Sequence, residues 1–176
     1  MADARQRGWP GDIFRALKAA DVTQIAYVPD GGHAKLIERC QKDRRMRDLV
    51  LTTEEEGVAV LAGAWLGGER GVLLMQSSGV GNTINALALP NICRMPFVAI
   101  VSMRGEWGEF VPWQVPMGQA TPAVLEAMGV IVYRADKPEE AADTVDAAFK
   151  IAYDSAKSVA VLLSQKLIGA KDFRAK

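Results

Sequence analysis

Six short apolar runs punctuate the chain: residues 24–29 (QIAYVP), 48–53 (DLVLTT), 71–77 (GVLLMQS), 96–102 (PFVAIVS), 130–135 (VIVYRA) and 158–165 (SVAVLLSQ). Each is almost continuously apolar and is bounded by turn residues, the pattern of strands covered on both faces. Helical spacing fills the intervals, over residues 10–20, 33–45, 53–66, 81–89, 121–128 and 138–154. Pro122 and Pro138 fall near predicted helix starts, where a missing N–H costs little. Strands interleaved with helices predict one α/β domain over residues 1–176, a doubly wound, six-stranded, mostly parallel sheet with helices on both faces. No repeat, low-complexity segment or linker interrupts it. The one long irregular stretch is residues 103–120, MRGEWGEFVPWQVPMGQA; loops of that length in compact domains are commonly functional. Ligands of such folds lie at the carboxyl ends of the strands, which directs attention to residues 29–33, 52–56, 76–82 and 102–120.

Composition narrows the function classes. The 176 residues are 49% hydrophobic and 24% charged, with a formal net charge of zero. Neither a nucleic-acid surface nor a basic membrane-binding face is indicated; the cluster KDRRMR at 42–47 reads as a solvated helix end. The two cysteines, Cys40 and Cys93, have no metal-ligand spacing and read as reduced thiols of a cytosolic protein. His33 is the single histidine, without a nucleophile elbow to serve. The N-terminal segment lacks the apolar core of a secretory signal, and no apolar run is long enough to span a bilayer. The expected location is cytoplasmic.

Chemistry concentrates in two segments. TTEEEGVAVLAGAW, residues 52–65, sets three carboxylates before an apolar helix. Thr53 and Glu56 match a capping box, and acids in the first turn favour the helix dipole. Glu55 shares a stripe with Ala59, Ala62 and Leu66, beside a bulky stripe of Val58, Leu61 and Trp65. Small residues admit a second helix or chain, so Glu55 is expected to lose solvent and to have a raised pKa suited to proton transfer. In MQSSGVGNTINAL, residues 75–87, a strand is expected to turn through Ser78, Gly79, Val80 and Gly81 into a helix. The pattern is neither a Walker loop nor G-x-G-x-x-G. A plain strand-to-helix turn and a ligand cradle are both open on this pattern.

Taken together, TEEEGVAVLAGAW, LLMQSSGVGNTINAL, RGE (104–106) and MGQATPAVLEAMGV (117–130) resemble the pyrimidine-binding domain of thiamine-diphosphate-dependent 2-oxo acid decarboxylases. The similarity is greatest to the separate α subunit of sulfopyruvate decarboxylase and the N-terminal part of phosphonopyruvate decarboxylase. The resemblance covers nearly the whole chain, and these four segments appear in it in order. The family pattern E-x-G-x-x-x-x-A-x-G-Y aligns its glutamate with Glu55, with Gly57 and Ala62 in step and Ala64 where the pattern has glycine. The resemblance implies that Glu55 hydrogen-bonds N1′ of the aminopyrimidine, so that the 4′ nitrogen acts as the base on the thiazolium C2. A small 2-oxo acid would then lose carbon dioxide and leave as an aldehyde. Gln76, Ser78, Gly79, Gly81 and Asn82 are the implied cofactor-binding residues. Asp30, Gly31, Gly32 and His33, with Arg104 and Gln114, are candidates for substrate contact, His33 also for proton relay.

The family's diphosphate and Mg²⁺ motif, GDG followed by Asn, does not occur in the chain. The resemblance therefore implies a partner (β) subunit carrying that motif and the Mg²⁺ ligands. The cofactor would lie between the chains, and self-association through the small-residue helix face is expected. The stretch WGEFVPW and the pair Gln114-Val115 depart from relatives, which often carry Gln-His. The loop is rich in aromatic residues and offers few cations, Arg104, His33 and Lys35, for a sulfonate or phosphonate tail. Three alternatives stay open: carboligation or lyase chemistry on the same cofactor, an aromatic 2-oxo acid as substrate, and a non-catalytic α/β regulatory domain.

Overall fold

A computed structural model describes residues 8–169. Among these, six strands and eight α-helices follow one another as α1 (Trp9–Ala19), β1 (Val22–Tyr27), α2 (Ala34–Gln41), β2 (Arg47–Val50), α3 (Glu54–Leu66), β3 (Arg70–Gln76), α4 (Ser77–Thr83), α5 (Ala88–Cys93), β4 (Phe97–Ser102), α6 (Gln114–Ala127), β5 (Ile131–Ala135), α7 (Ala141–Ser155), β6 (Ser158–Leu163) and α8 (Gln165–Ile168). The strand order is β2-β1-β3-β4-β6-β5. Every pairing is parallel, as expected of strands joined by helical crossovers.

The apolar residues of each central strand alternate between two cores. Val72 and Leu74 of β3 face the core built with α1, α2 and α7, whereas Leu73 and Met75 face the one built with α3, α4 and α6. β4 and β6 divide in the same way and are buried throughout. Burial on both faces is why these strands lack polar alternation. Truncating one such side chain, for example Leu73→Ala, costs about 2–5 kcal/mol through lost transfer energy and the cavity left behind. β2 and β5 are the edges and are only partly covered.

This order reverses direction twice, between β1 and β3 and again between β4 and β6. At such switch points the helices leave on opposite faces and open a crevice at the carboxyl ends of the strands. The ends of β1, β3, β4 and β6 therefore define where a site can form.

Three expectations are corrected. The glycines of residues 77–83 lie inside α4, which follows β3 directly, so no glycine turn precedes a helix over 81–89. Gly79 meets a steric requirement instead: a Cβ there would lie 2.0 Å from Oε1 of Glu54. The irregular stretch is shorter than 103–120, because α6 starts at Gln114. Pro116 sits in its first turn, where no N–H is needed, but Pro122 lies inside the helix rather than at its start. Gly118 lets α6 close on the preceding loop; a Cβ there would sit 1.9 Å from the carbonyl oxygen of Arg104.

Candidate active site at the strand ends

Three linked clusters occupy the carboxyl end of the sheet. The first joins β1, β3, β4 and α6. Asp30 follows β1, and its carboxylate accepts from the Gly32 N–H at 3.0 Å, Gln76 Nε2 at 2.9 Å and Ser102 Oγ at 2.6 Å. Gln76 Oε1 in turn accepts from Ser78 Oγ at 2.7 Å and Gln114 Nε2 at 3.0 Å. The structure thus brings Asp30, Gln76, Ser78 and Gln114 together and adds Ser102, which sequence reasoning did not single out. Gly32 is dictated by packing, since a Cβ would lie 2.8 Å from both Asp30 Oδ2 and Ser102 Cβ. Gly31 is exposed beside it. Gln114 is 8% exposed, and its Oε1 has no hydrogen-bond partner.

His33 lies beneath this cluster with no exposed surface. Its Nε2 donates to the carbonyl of Met75 at 3.2 Å, and Nδ1 is buried without a partner. Burial lowers its pKa, with the nearby Asp30 carboxylate opposing the shift. The imidazole is thus enclosed and presents no surface in this chain.

The second cluster organises the loop between β4 and α6. Arg104 and Glu109 form a bidentate ion pair at 2.8 and 2.7 Å, with side chains 4% and 3% exposed. Glu109 also accepts from the N–H groups of Gly105 and Val111 and from Gln165 Nε2. Burial alone would raise its pKa, but the donors from Arg104, Val111 and Gly105 prevail and hold it at about 2. Gln165 Oε1 accepts from the N–H groups of Glu106 and Trp107 at 3.0 and 2.9 Å. This scaffold presents Trp107, Phe110 and Trp113, exposed by 51%, 47% and 67%. The guanidinium of Arg104 faces Glu109 and not solvent. Glu109 and Gln165 were missed; the sequence signal for the first is an acid within the same tight loop as Arg104.

The third cluster lies at the start of α3. Of the three glutamates, Glu54 is buried at 7% exposure, whereas Glu55 and Glu56 are exposed. Glu54 Oε2 accepts from Asn82 Nδ2 at 2.8 Å, and Oε1 lies over Gly79. Glu56 reaches back to the Thr52 N–H at 2.8 Å, and the Thr53 hydroxyl makes no capping bond, so the expected capping box is only half formed and shifted by one residue. The desolvation expected of Glu55 is not provided by the surfaces of its own chain. Further along the helix Ala59 and Gly63 are exposed, and a Cβ on Gly63 would meet nothing within 4 Å. Ala62, placed on the same stripe by the sequence, is buried. Gly81 is exposed on α4, next to Met117.

The donor set fits one end of a thiamine-type cofactor. An exposed carboxylate on a surface of small side chains suits a protonated ring nitrogen. Among the described residues no group of three or more His, Cys, Asp or Glu side chains could hold a metal ion. Nor is any described helix long and apolar enough to cross a membrane.

A doubly wound α/β domain with its polar clusters at two switch points defines the class. Residues 11–110 match the family model "Thiamine pyrophosphate enzyme, N-terminal TPP binding domain", and the chain belongs to that family. It is 33% identical over 152 residues to sulfopyruvate decarboxylase subunit alpha of Methanococcus maripaludis, covering 86% of this chain and 91% of that one. It is 36% identical over 152 residues to the subunit of the same name from Methanothermobacter thermautotrophicus, covering 86% and 92%. In fold it is similar to 2-oxoglutarate:ferredoxin oxidoreductase from Magnetococcus marinus, with a TM-score of 0.71 at 11% identity, over 92% of this chain and 29% of that one.

Proposed function

We propose that the chain is the pyrimidine-binding subunit of a thiamine-diphosphate-dependent 2-oxo acid decarboxylase, with sulfopyruvate or a phosphonopyruvate-like acid as the reference substrate. A separate β subunit would supply the GDG…Asn motif, the Mg²⁺ ligands and the diphosphate site. The observation that carries this reading is the likeness to sulfopyruvate decarboxylase α subunits over most of both chains. The exposed position of Glu55 on α3 supports it, because a carboxylate that must meet a cofactor held by another polypeptide has to face outward.

Thiamine diphosphate supplies an electron sink that lets a 2-oxo acid release carbon dioxide. Glu55 would hold a proton at N1′ of the aminopyrimidine, and its solvent would be removed by the partner surface. Ala59 and Gly63 would let that surface approach closely. Gln76, Ser78, Gly79, Gly81 and Asn82 would line the pyrimidine side. Asp30, Gly31 and Gly32 would face the substrate from the end of β1. Gln114, with Gln76, would hold Asp30 in a fixed orientation, and His33 and Arg104 would support that wall from beneath.

A second reading follows from one observation. Arg104 is neutralised internally while three aromatic side chains stand exposed beside it. An uncharged or aromatic 2-oxo acid, with decarboxylation or carboligation as the outcome, fits that surface. The test is turnover by the complex reconstituted with the β subunit on a panel of sulfopyruvate, phosphonopyruvate, pyruvate and an aryl 2-oxo acid. Preference for sulfopyruvate supports the first reading and preference for the aryl acid the second. Unaltered turnover by Glu55→Gln would reject both.

A further inference from the structure

The first turn of α3 lacks its own cap: the Thr53 hydroxyl makes no capping bond. What ties the turn sideways is the next side chain. Glu54 is 7% exposed, accepts from Asn82 Nδ2 of α4 at 2.8 Å, and fills the space that Gly79 leaves open. Burying an acid is unfavourable unless a donor meets it, and Asn82 is that donor. Gly79 matches the arrangement, since any larger residue would strike the Glu54 carboxylate at 2.0 Å. Adjacent helix residues project about 100° apart. With Glu54 locked against α4, Glu55 is held pointing outward at a fixed angle.

We propose that Glu54 is a positioning residue for Glu55, clamping the start of α3 to α4 through Asn82 so that the neighbouring carboxylate is aimed at the cofactor. This rests on the role proposed above for Glu55. The clamp also explains why an acid, and not an apolar residue, occupies a buried place: a carboxylate accepts from the side-chain amide across the helix pair and fixes rotation as well as separation.

The test exchanges the two ends of the hydrogen bond in the complex reconstituted with the β subunit. Asn82→Asp sets two carboxylates face to face and is expected to lower kcat about 100-fold, the scale of a displacement of about 1 Å at a reacting group. Adding Glu54→Gln restores a bond of opposite polarity and is expected to recover kcat to within about tenfold of wild type. Affinity for thiamine diphosphate, read by calorimetry, falls and recovers in parallel. The thermal midpoint of the free chain separates aim from folding, because the exchanged pair keeps it while each broken clamp is compared at full folding. Should Asn82→Asp fail to fold, Glu54→Ala, which adds no charge, replaces it and is expected to show the same loss of turnover. If Asn82 acted only by touching the cofactor, Glu54→Gln could not rescue it, so an exchange that recovers neither turnover nor affinity overturns the proposal, as does wild-type behaviour of Asn82→Asp. Inactive Glu55→Gln alongside an unaffected Asn82→Asp rejects the clamp alone, whereas full activity of Glu55→Gln rejects the clamp together with the reading it rests on.

Discussion

Replacing Glu109 by Gln tests whether the aromatic loop is held by a buried charge pair. In the wild type the Glu109 carboxylate receives five donors: two from Arg104, the N–H groups of Gly105 and Val111, and Gln165 Nε2. The glutamine keeps the shape but strands the guanidinium of Arg104, whose side chain is 4% exposed. Breaking a buried pair from one side costs about 3–5 kcal/mol. For a domain of this size that lowers the midpoint of thermal unfolding by roughly 6–20 °C. Acid titration gives an independent value. Glu109 ordinarily titrates near 4.5 and is held at about 2 in the fold. A depressed carboxylate contributes its full stabilisation above the unfolded pKa and loses it as pH falls from about 4.5 toward 2, in total about 3 kcal/mol. Urea melts of the free chain between pH 7 and pH 2.5 are the assay. Glu109→Gln is expected to be less stable at pH 7 and to lack this part of the acid dependence. The apolar pair Arg104→Met/Glu109→Leu recovers part of the loss, because the stranded charge is gone while Gly105, Val111 and Gln165 remain without an acceptor. A Glu109→Gln chain within about 1 kcal/mol of wild type at neutral pH would refute the reasoning.

Four further outcomes are expected. In the native chain Cys93, which is exposed, reacts with a maleimide, whereas Cys40, buried and with its thiol pushed up to about 12 by burial and by Asp43 and Asp48, reacts only on unfolding; equal rates by mass spectrometry would contradict this. His33 is held neutral by burial, so the unfolded chain takes up a proton that the folded one refuses, and stability declines as pH falls below about 6.5; His33→Gln should flatten that segment of the profile measured by urea melts. Gly57→Ala drives a Cβ to 2.5 Å from Leu73 Cδ1 and 2.9 Å from Leu51 Cδ1, and the overpacking is expected to cost about 1–3 kcal/mol in chemical denaturation. Gly63→Ala has open space around it and should stabilise the free chain by about 0.4–1 kcal/mol, while Gly63→Trp should block association with the partner in analytical ultracentrifugation.

The sheet was legible because its strands are buried on both faces. Runs such as residues 71–77 and 158–165 carry uninterrupted apolar residues, and their alternation into two cores follows from the pleat. The start of α6 was not legible, since Pro116 and Pro122 suggest a late beginning, yet the first tolerates the first turn and Gly118 allows close contact with Arg104. The glycines of α4 mimic a turn in sequence; only the position of Glu54, brought from an element 25 residues earlier, explains why Gly79 is small. Motif alignment singled out Glu55 among three consecutive acids, but spacing could not show that its neighbour is the buried one. Nor could it show that Arg104 is paired within its own loop, because that depends on donors from Arg104, Gly105, Val111 and the distant Gln165 converging on Glu109.

Titrating thiamine diphosphate and Mg²⁺ into the free chain, into the β subunit and into their mixture, followed by calorimetry, tests the shared site most directly. The account predicts weak or no binding by the free chain, binding by the mixture, and weakened binding with abolished turnover when the mixture contains Glu55→Gln. Tight binding and turnover by this chain alone, or a mixture indifferent to Glu55→Gln, would contradict it.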